Sequence, residues 1–99
     1  MYAMLLAENA DERAVLSLVL QRAGLAVTMA HNIDRAMKSW LERPADLIVL
    51  ALGGDPLALT RQTRAETPVP LVVIAEPVGE SIHYAILEAG VDLVVFRPF

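Results

Sequence analysis

The sequence predicts an α/β protein: a three-layer α/β/α sandwich around a five-stranded parallel sheet. Three observations carry this. Short apolar runs recur at Ala3–Ala7, Leu25–Ala30, Leu47–Leu52, Leu71–Ala75 and Leu93–Phe96. Their centres lie about 22 residues apart, room for one strand, one helix and two short loops. The runs are continuous rather than alternating, as strands covered on both faces are, and the segments between them have helical periodicity.

The elements follow in order. The first run leads into Asn9, a helix N-cap, with Glu12 at the capping-box position and Gly24 as terminator. This helix carries Val15, Leu16, Leu18, Val19, Leu20 and Ala23, an apolar stripe wider than one sheet contact needs. After the second run, Asn32 caps a helix whose Ile33, Ala36, Met37, Trp40 and Leu41 keep the i, i+3, i+4 pattern until Pro44 stops it. The third helix, near Pro56–Ala65, is weak, because only Leu57, Ala58 and Leu59 lead an otherwise polar segment. The fourth presents Ile82, Ala85, Ile86 and Ala89 on one face and ends at Gly90. A fifth strand then runs into "FRPF". Right-handed crossovers place helices on both faces of the sheet. With no helix after the fifth strand, part of one face is expected to lie open. Leu16 and Leu20 then lack cover, which fits either a domain cut before its final helix or self-association there.

Bulk properties narrow the function. Ninety-nine residues make one domain, residues 1–99, and 56% hydrophobic content predicts a largely buried sheet rather than disorder. The net charge of −4 and the scattered arginines argue against direct nucleic-acid binding or an anionic membrane surface. The absence of cysteine removes disulfides, thiolate metal sites and a cysteine nucleophile together. The N-terminus lacks a basic region and the apolar runs are too short to span a bilayer, so a cytoplasmic location is expected.

In such a sheet, groups at the carboxyl ends of the strands converge on one crevice. Those positions hold Glu8 and Asn9, then Ala51 through Asp55, then Ala75 and Glu76, then Arg97. The order of segments "MLLAEN", "PADLIVLA", "VPLVVIAE" and "AGVDLVVFRPF" resembles the receiver domain of two-component response regulators, the CheY-like (flavodoxin-like) fold. The resemblance covers the chain except for a last helix. It implies the strand order 2-1-3-4-5, a cis peptide at Arg97–Pro98, and a phosphoryl-accepting crevice.

The family's site residues fall on a changed set. The phospho-acceptor aspartate falls on Ala51 and the phosphoryl-contacting hydroxyl on Ala75. The acidic pair falls on Glu8 and Asn9, with the following loop one residue short. The lysine falls on Arg97, and the aromatic switch residue on Val94. An alanine has no oxygen to attack phosphorus. Magnesium requires several oxygen ligands, and Glu8 alone is a poor start. The expectation is a vestigial pocket, Glu8, Asn9, Ala51, Ala75 and Arg97, in which Arg97 pairs with Glu8. Neither catalysis nor a cofactor or metal is expected. The chain then acts as a phosphorylation-independent protein-interaction or dimerisation module. Its surface by resemblance is Ser81, His83, Tyr84, Leu87, Glu88, Asp92 and Val94, and its partners are a kinase, an output domain or a second copy.

Two alternatives stay open. One is phosphorylation at a non-standard acceptor, Asp55 or Glu8. The other is a small-ligand pocket, favoured by a deep apolar cavity at Ala51 and Ala75. Several residues have plain readings. Asp55 before Pro56 is a helix cap, Gly53-Gly54 lacks the following Gly-Lys-Ser/Thr of a P-loop, and His31 and His83 are surface or boundary histidines. Trp40 packs in the core, and Ser17, Ser39 and Ser81 have no His/Asp constellation to activate them.

Overall fold

Five parallel strands and four helices alternate along the chain in a computed structural model that describes every residue except His31, and all side chains but those of Ser39, Trp40 and Leu41. The readings of His31, Ser39, Trp40 and Leu41 therefore lie outside the described residues. The elements are β1 (Tyr2–Ala7), α1 (Ala10–Arg22), β2 (Ala26–Ala30), α2 (Ile33–Glu42), β3 (Leu47–Ala51), α3 (Pro56–Glu66), β4 (Leu71–Ala75), α4 (Glu80–Glu88) and β5 (Leu93–Phe96). The sheet order is β2-β1-β3-β4-β5, the CheY-like order.

Side-chain alternation along the strands sorts the core into two halves. Met4, Leu6, Ile48, Leu50, Leu71 and Val73 point to one face, where Ile33 and Ala36 of α2, Leu57 of α3 and Ile86 of α4 cover them. Leu5, Val49 and Ile74 point to the other, which α1 covers through Leu16 and Leu20. Three helices on one face and one on the other leave a strip of sheet bare. Leu16 is buried, contrary to the expectation that it lies open. The open region lies beside it, where Val19, Val49, Val72, Val95 and Phe99 wall an apolar trough of about 220 Å3.

Local chemistry sets the boundaries. The Asn9 side chain accepts the Glu12 backbone N–H at 2.9 Å, and Asn32 does the same for Arg35 at 2.9 Å. Asp55 accepts from the N–H groups of Leu57 and Ala58 at 2.9 and 3.3 Å, with Pro56 in the first turn. Gly54 supplies the positive φ of 92° that turns β3 into this cap. The third helix is firmer than its sequence suggests. Thr60 and Thr63 are fully buried, and their hydroxyls donate to the carbonyls of Pro56 (2.7 Å) and Leu59 (2.9 Å). Each threonine satisfies its own oxygen within the helix and offers a methyl to the core.

Candidate functional site

The carboxyl ends of β1, β3 and β5 meet the first turn of α1 in a cleft of about 340 Å3. Its walls include Glu8, Asn9, Glu12, Ala51, Gly53 and Arg97, with Glu76 at the rim. Four of the five expected pocket residues are thus brought together. The fifth, Ala75, is buried and belongs to the core on the opposite face of the sheet. It enters the site through its backbone, whose carbonyl accepts the Arg97 N–H at 2.9 Å. Ala51 lies on the cleft side, 2% exposed, and presents a methyl group. The cleft that Ala51 lines does not extend to the Ala75 side chain. The two methyl groups face opposite sides of the sheet, which removes the observation that would have favoured a small-ligand pocket.

The main correction concerns Arg97. Its expected partner was Glu8, yet its guanidinium donates two hydrogen bonds to Glu12, Nε to Oε2 and Nη2 to Oε1, both at 2.7 Å. The side chains of Arg97 and Glu12 are only 21% and 14% exposed, so the pair is partly desolvated. The reason is geometric. Asn9 fixes the start of α1, which turns Glu12 inward over the end of β5, and the planar fork meets the carboxylate along two parallel bonds. Glu8 instead leans against Gly53, where a Cβ would stand 3.1 Å from its Oε2. Glu76 reaches Arg97 only at 3.9 Å from an exposed position. The bonds from Arg97 hold the Glu12 carboxyl below its ordinary value; burial opposes this and the guanidinium charge adds to it. The Arg97 pKa is raised in turn, first by the bonds to Glu12.

Glu12 is the site residue the sequence reading missed. Its capping-box position predicts a carboxylate turned back to Asn9, whereas the carboxylate crosses to Arg97 at the end of β5, eighty-five positions away. The periodicity of α1 held the signal, since Glu12 lies on the same face as Leu16. The Arg97–Pro98 peptide is cis, as expected.

The α4–β5 face divides. Ser81, Tyr84, Leu87 and Glu88 are exposed. His83 is half-buried, with its ring edge-on to Phe96 at 5.0 Å. Asp92 is exposed as well and also bonds within the chain, and Val94 is half-buried. The Asp92 carboxylate accepts the Leu71 N–H at 2.7 Å and pairs with Arg64 at 3.0 Å, while Val94 packs against the core.

No protein-family profile matches the chain. Individual relatives do. The KDP operon transcriptional regulatory protein KdpE of Escherichia coli is 34% identical over 95 residues, covering 90% of this chain and 42% of that protein. The transcriptional regulatory protein ResD of Bacillus subtilis is 32% identical over 95 residues, covering 93% and 40%. A two-component response regulator from Clostridium difficile superposes with a TM-score of 0.83 at 22% identity, over 100% of this chain and 84% of that one. The chain belongs to the receiver-domain family of response regulators. It spans about two fifths of the length of the curated relatives it matches.

The receiver family implies magnesium in this cleft, and the donor set does not fit it. The Asn9 oxygen is engaged by Glu12 N–H, both Glu12 oxygens are taken by Arg97, and Ala51 contributes none, which leaves Glu8, with Glu76 at the rim, to meet a cation. Among the described residues no group of three or more acidic or histidine side chains is gathered for a metal. No helix of the described residues is long and apolar enough to cross a membrane.

Proposed function

We propose that this receiver is degenerate. It does not run an aspartyl-phosphate cycle, has no catalytic role of its own, and passes its signal by protein contact. The observation that carries this reading is the methyl group of Ala51 on the wall of the cleft. A nucleophilic oxygen is absent there, and stabilisation of a transferred phosphoryl depends on positioned charge and donors. The cation that falls at the phosphoryl-contacting lysine is already paired with Glu12. Asp55 is a poor substitute acceptor, because its carboxylate caps α3.

The contact surface we assign is the exposed part of α4, where Tyr84 and Leu87 flank a shallow hollow with Glu80 and His83. A kinase, an output domain or a second copy are the partners, and the cytoplasm is the location. The matched relatives are named as transcriptional regulators, which agrees with a role in signalling.

The test is incubation with acetyl phosphate and magnesium, followed by intact-protein mass spectrometry and peptide mapping. An unmodified chain is expected. A stoichiometric adduct overturns the proposal, and its mapping to Asp55 or Glu8 would establish the non-standard acceptor.

A further inference from the structure

The basic residues of the chain are unevenly placed. Every lysine and arginine lies at or before Arg64, or at Arg97. Residues 65–96 between them hold Glu66, Glu76, Glu80, Glu88 and Asp92 and no basic side chain but His83. That segment thus carries the whole negative excess of the chain, and the rest is close to neutral. Two of its acids are compensated, Glu76 weakly by Arg97 at 3.9 Å and Asp92 by Arg64 at 3.0 Å. Helix α4 is not. Glu80 and Glu88 are exposed, and neither forms an ion pair among the described residues.

Helical geometry arranges these two carboxylates around the α4 hollow. Glu80, His83, Tyr84, Leu87 and Glu88 follow one another at i, i+3, i+4, i+7 and i+8, a single stripe. The first four wall the hollow of about 240 Å3, and Tyr84 and Leu87 are 61% and 43% exposed. The stripe has an apolar middle and a carboxylate at each end, about 12 Å apart by the rise of a helix. Glu88 does not serve the helix that carries it. It stands in the last turn, where the helix dipole favours a cation, and that turn has no basic residue.

We propose that α4 docks a cationic segment of another protein, one with lysine or arginine on both sides of an apolar side chain. The apolar side chain fills the hollow beside Tyr84 and Leu87, and the flanking cations meet Glu80 and Glu88. Charge decides the occupant. Two α4 stripes laid together in either direction set carboxylate against carboxylate, so a second copy does not fit this face. Nucleic acid and an anionic membrane meet the same repulsion.

The inference rests on the contact-module reading above and adds the chemistry of the partner. The test selects binders to the 99-residue chain from a displayed library of random peptides and maps the synthetic peptides by amide chemical shifts. The recovered peptides are expected to carry lysine or arginine on both sides of an apolar residue, to shift Tyr84 and Leu87, and to bind more weakly as salt rises. Glu80→Lys and Glu88→Lys are each expected to weaken binding about fivefold. Glu88→Lys is expected to leave the melting temperature unchanged or raise it, because it places a cation at the helix end, so its loss of binding is not loss of fold. Peptides that bind α4 without basic residues, or that keep their affinity for both variants, overturn this inference and leave the contact reading standing. A library that yields no binder on α4 overturns it too, and that outcome alone counts against the contact reading as well.

Discussion

Replacing Glu12 by glutamine tests the most informative contact in the cleft. The substitution keeps the size of the side chain and leaves the Glu12 N–H bonded to Asn9, so the helix cap survives. It removes the negative charge from a carboxylate that accepts two bonds at 2.7 Å. Hydrogen bonds to charged groups contribute about 1.5–3 kcal/mol, and removing one partner of a buried pair costs about 3–5 kcal/mol. Both side chains here keep some exposure, which screens the pair. A loss of about 2 kcal/mol is therefore expected, or about 10 °C in melting temperature for a domain of this size. Urea denaturation of wild type, E12Q, R97Q and the double variant closes a thermodynamic cycle. A coupling energy of at least about 1 kcal/mol is expected, and a coupling below about 0.5 kcal/mol would refute the pairing. The pH dependence has a definite sign. The folded-state pKa of Glu12 lies below its ordinary value of 4.5. The pair's contribution is thus complete above the unfolded value and disappears as the pH falls through the folded one. Wild type and E12Q are expected to differ at neutral pH and converge in strong acid.

Three further outcomes follow from particular contacts. Asp55→Ala removes the cap of α3 and should cost about 1 kcal/mol in a denaturant melt, without touching the cleft. Asp92→Ala leaves the Leu71 N–H and the Arg64 guanidinium without their shared acceptor, and should cost about 2 kcal/mol. If Asp92 served only partner binding, its stability would not change. Ala51→Asp places a carboxylate at a position only 2% exposed, beside Glu8 and Glu12. It should lower stability by about 1–3 kcal/mol and still give no magnesium-dependent adduct with acetyl phosphate, because the Asn9 and Glu12 oxygens are engaged and Arg97 is already paired. A stoichiometric adduct in that variant would show that only the acceptor had been lost.

Much of this architecture is legible in the residues because local signals and burial agree. The continuous runs at Leu47–Ala51 and Leu71–Ala75 are strands for the reason they appear to be, and Asn9, Asn32 and Asp55 cap the helices they precede. Helix α3 is less legible because hydropathy counts Thr60 and Thr63 as polar, whereas each returns its hydroxyl to the helix and buries its methyl. The site is legible as a list of positions, since the strand ends fix Glu8, Ala51 and Arg97. Its connections are not. Arg97 lies beyond reach of any local rule that would choose Glu12 over Glu8, and the choice is made by the angle at which α1 leaves its cap. Asp92 has the same lesson. By position it is expected on a contact surface, and the structure adds a bond to the start of β4 that no local pattern announces.

Charge balance relates the changes in the cleft to one another. A guanidinium held at 21% exposure at the end of β5 needs a nearby anion. In a receiver of the usual kind, the acceptor and the acidic pair supply negative charge at this place. Here Ala51 and Asn9 are neutral, and Glu8 rests against Gly53. The compensating carboxylate comes from Glu12, one turn into α1, and arginine suits it better than lysine because the planar fork takes both oxygens at once. The methyl at Ala51, the amide at Asn9 and the Glu12–Arg97 pair are thus mutually consistent. On the proposed reading, an arriving phosphoryl group would have to displace a carboxylate already bound through two short bonds, over the methyl of Ala51. The charge that falls where an anion is read in related domains now ties α1 to the sheet.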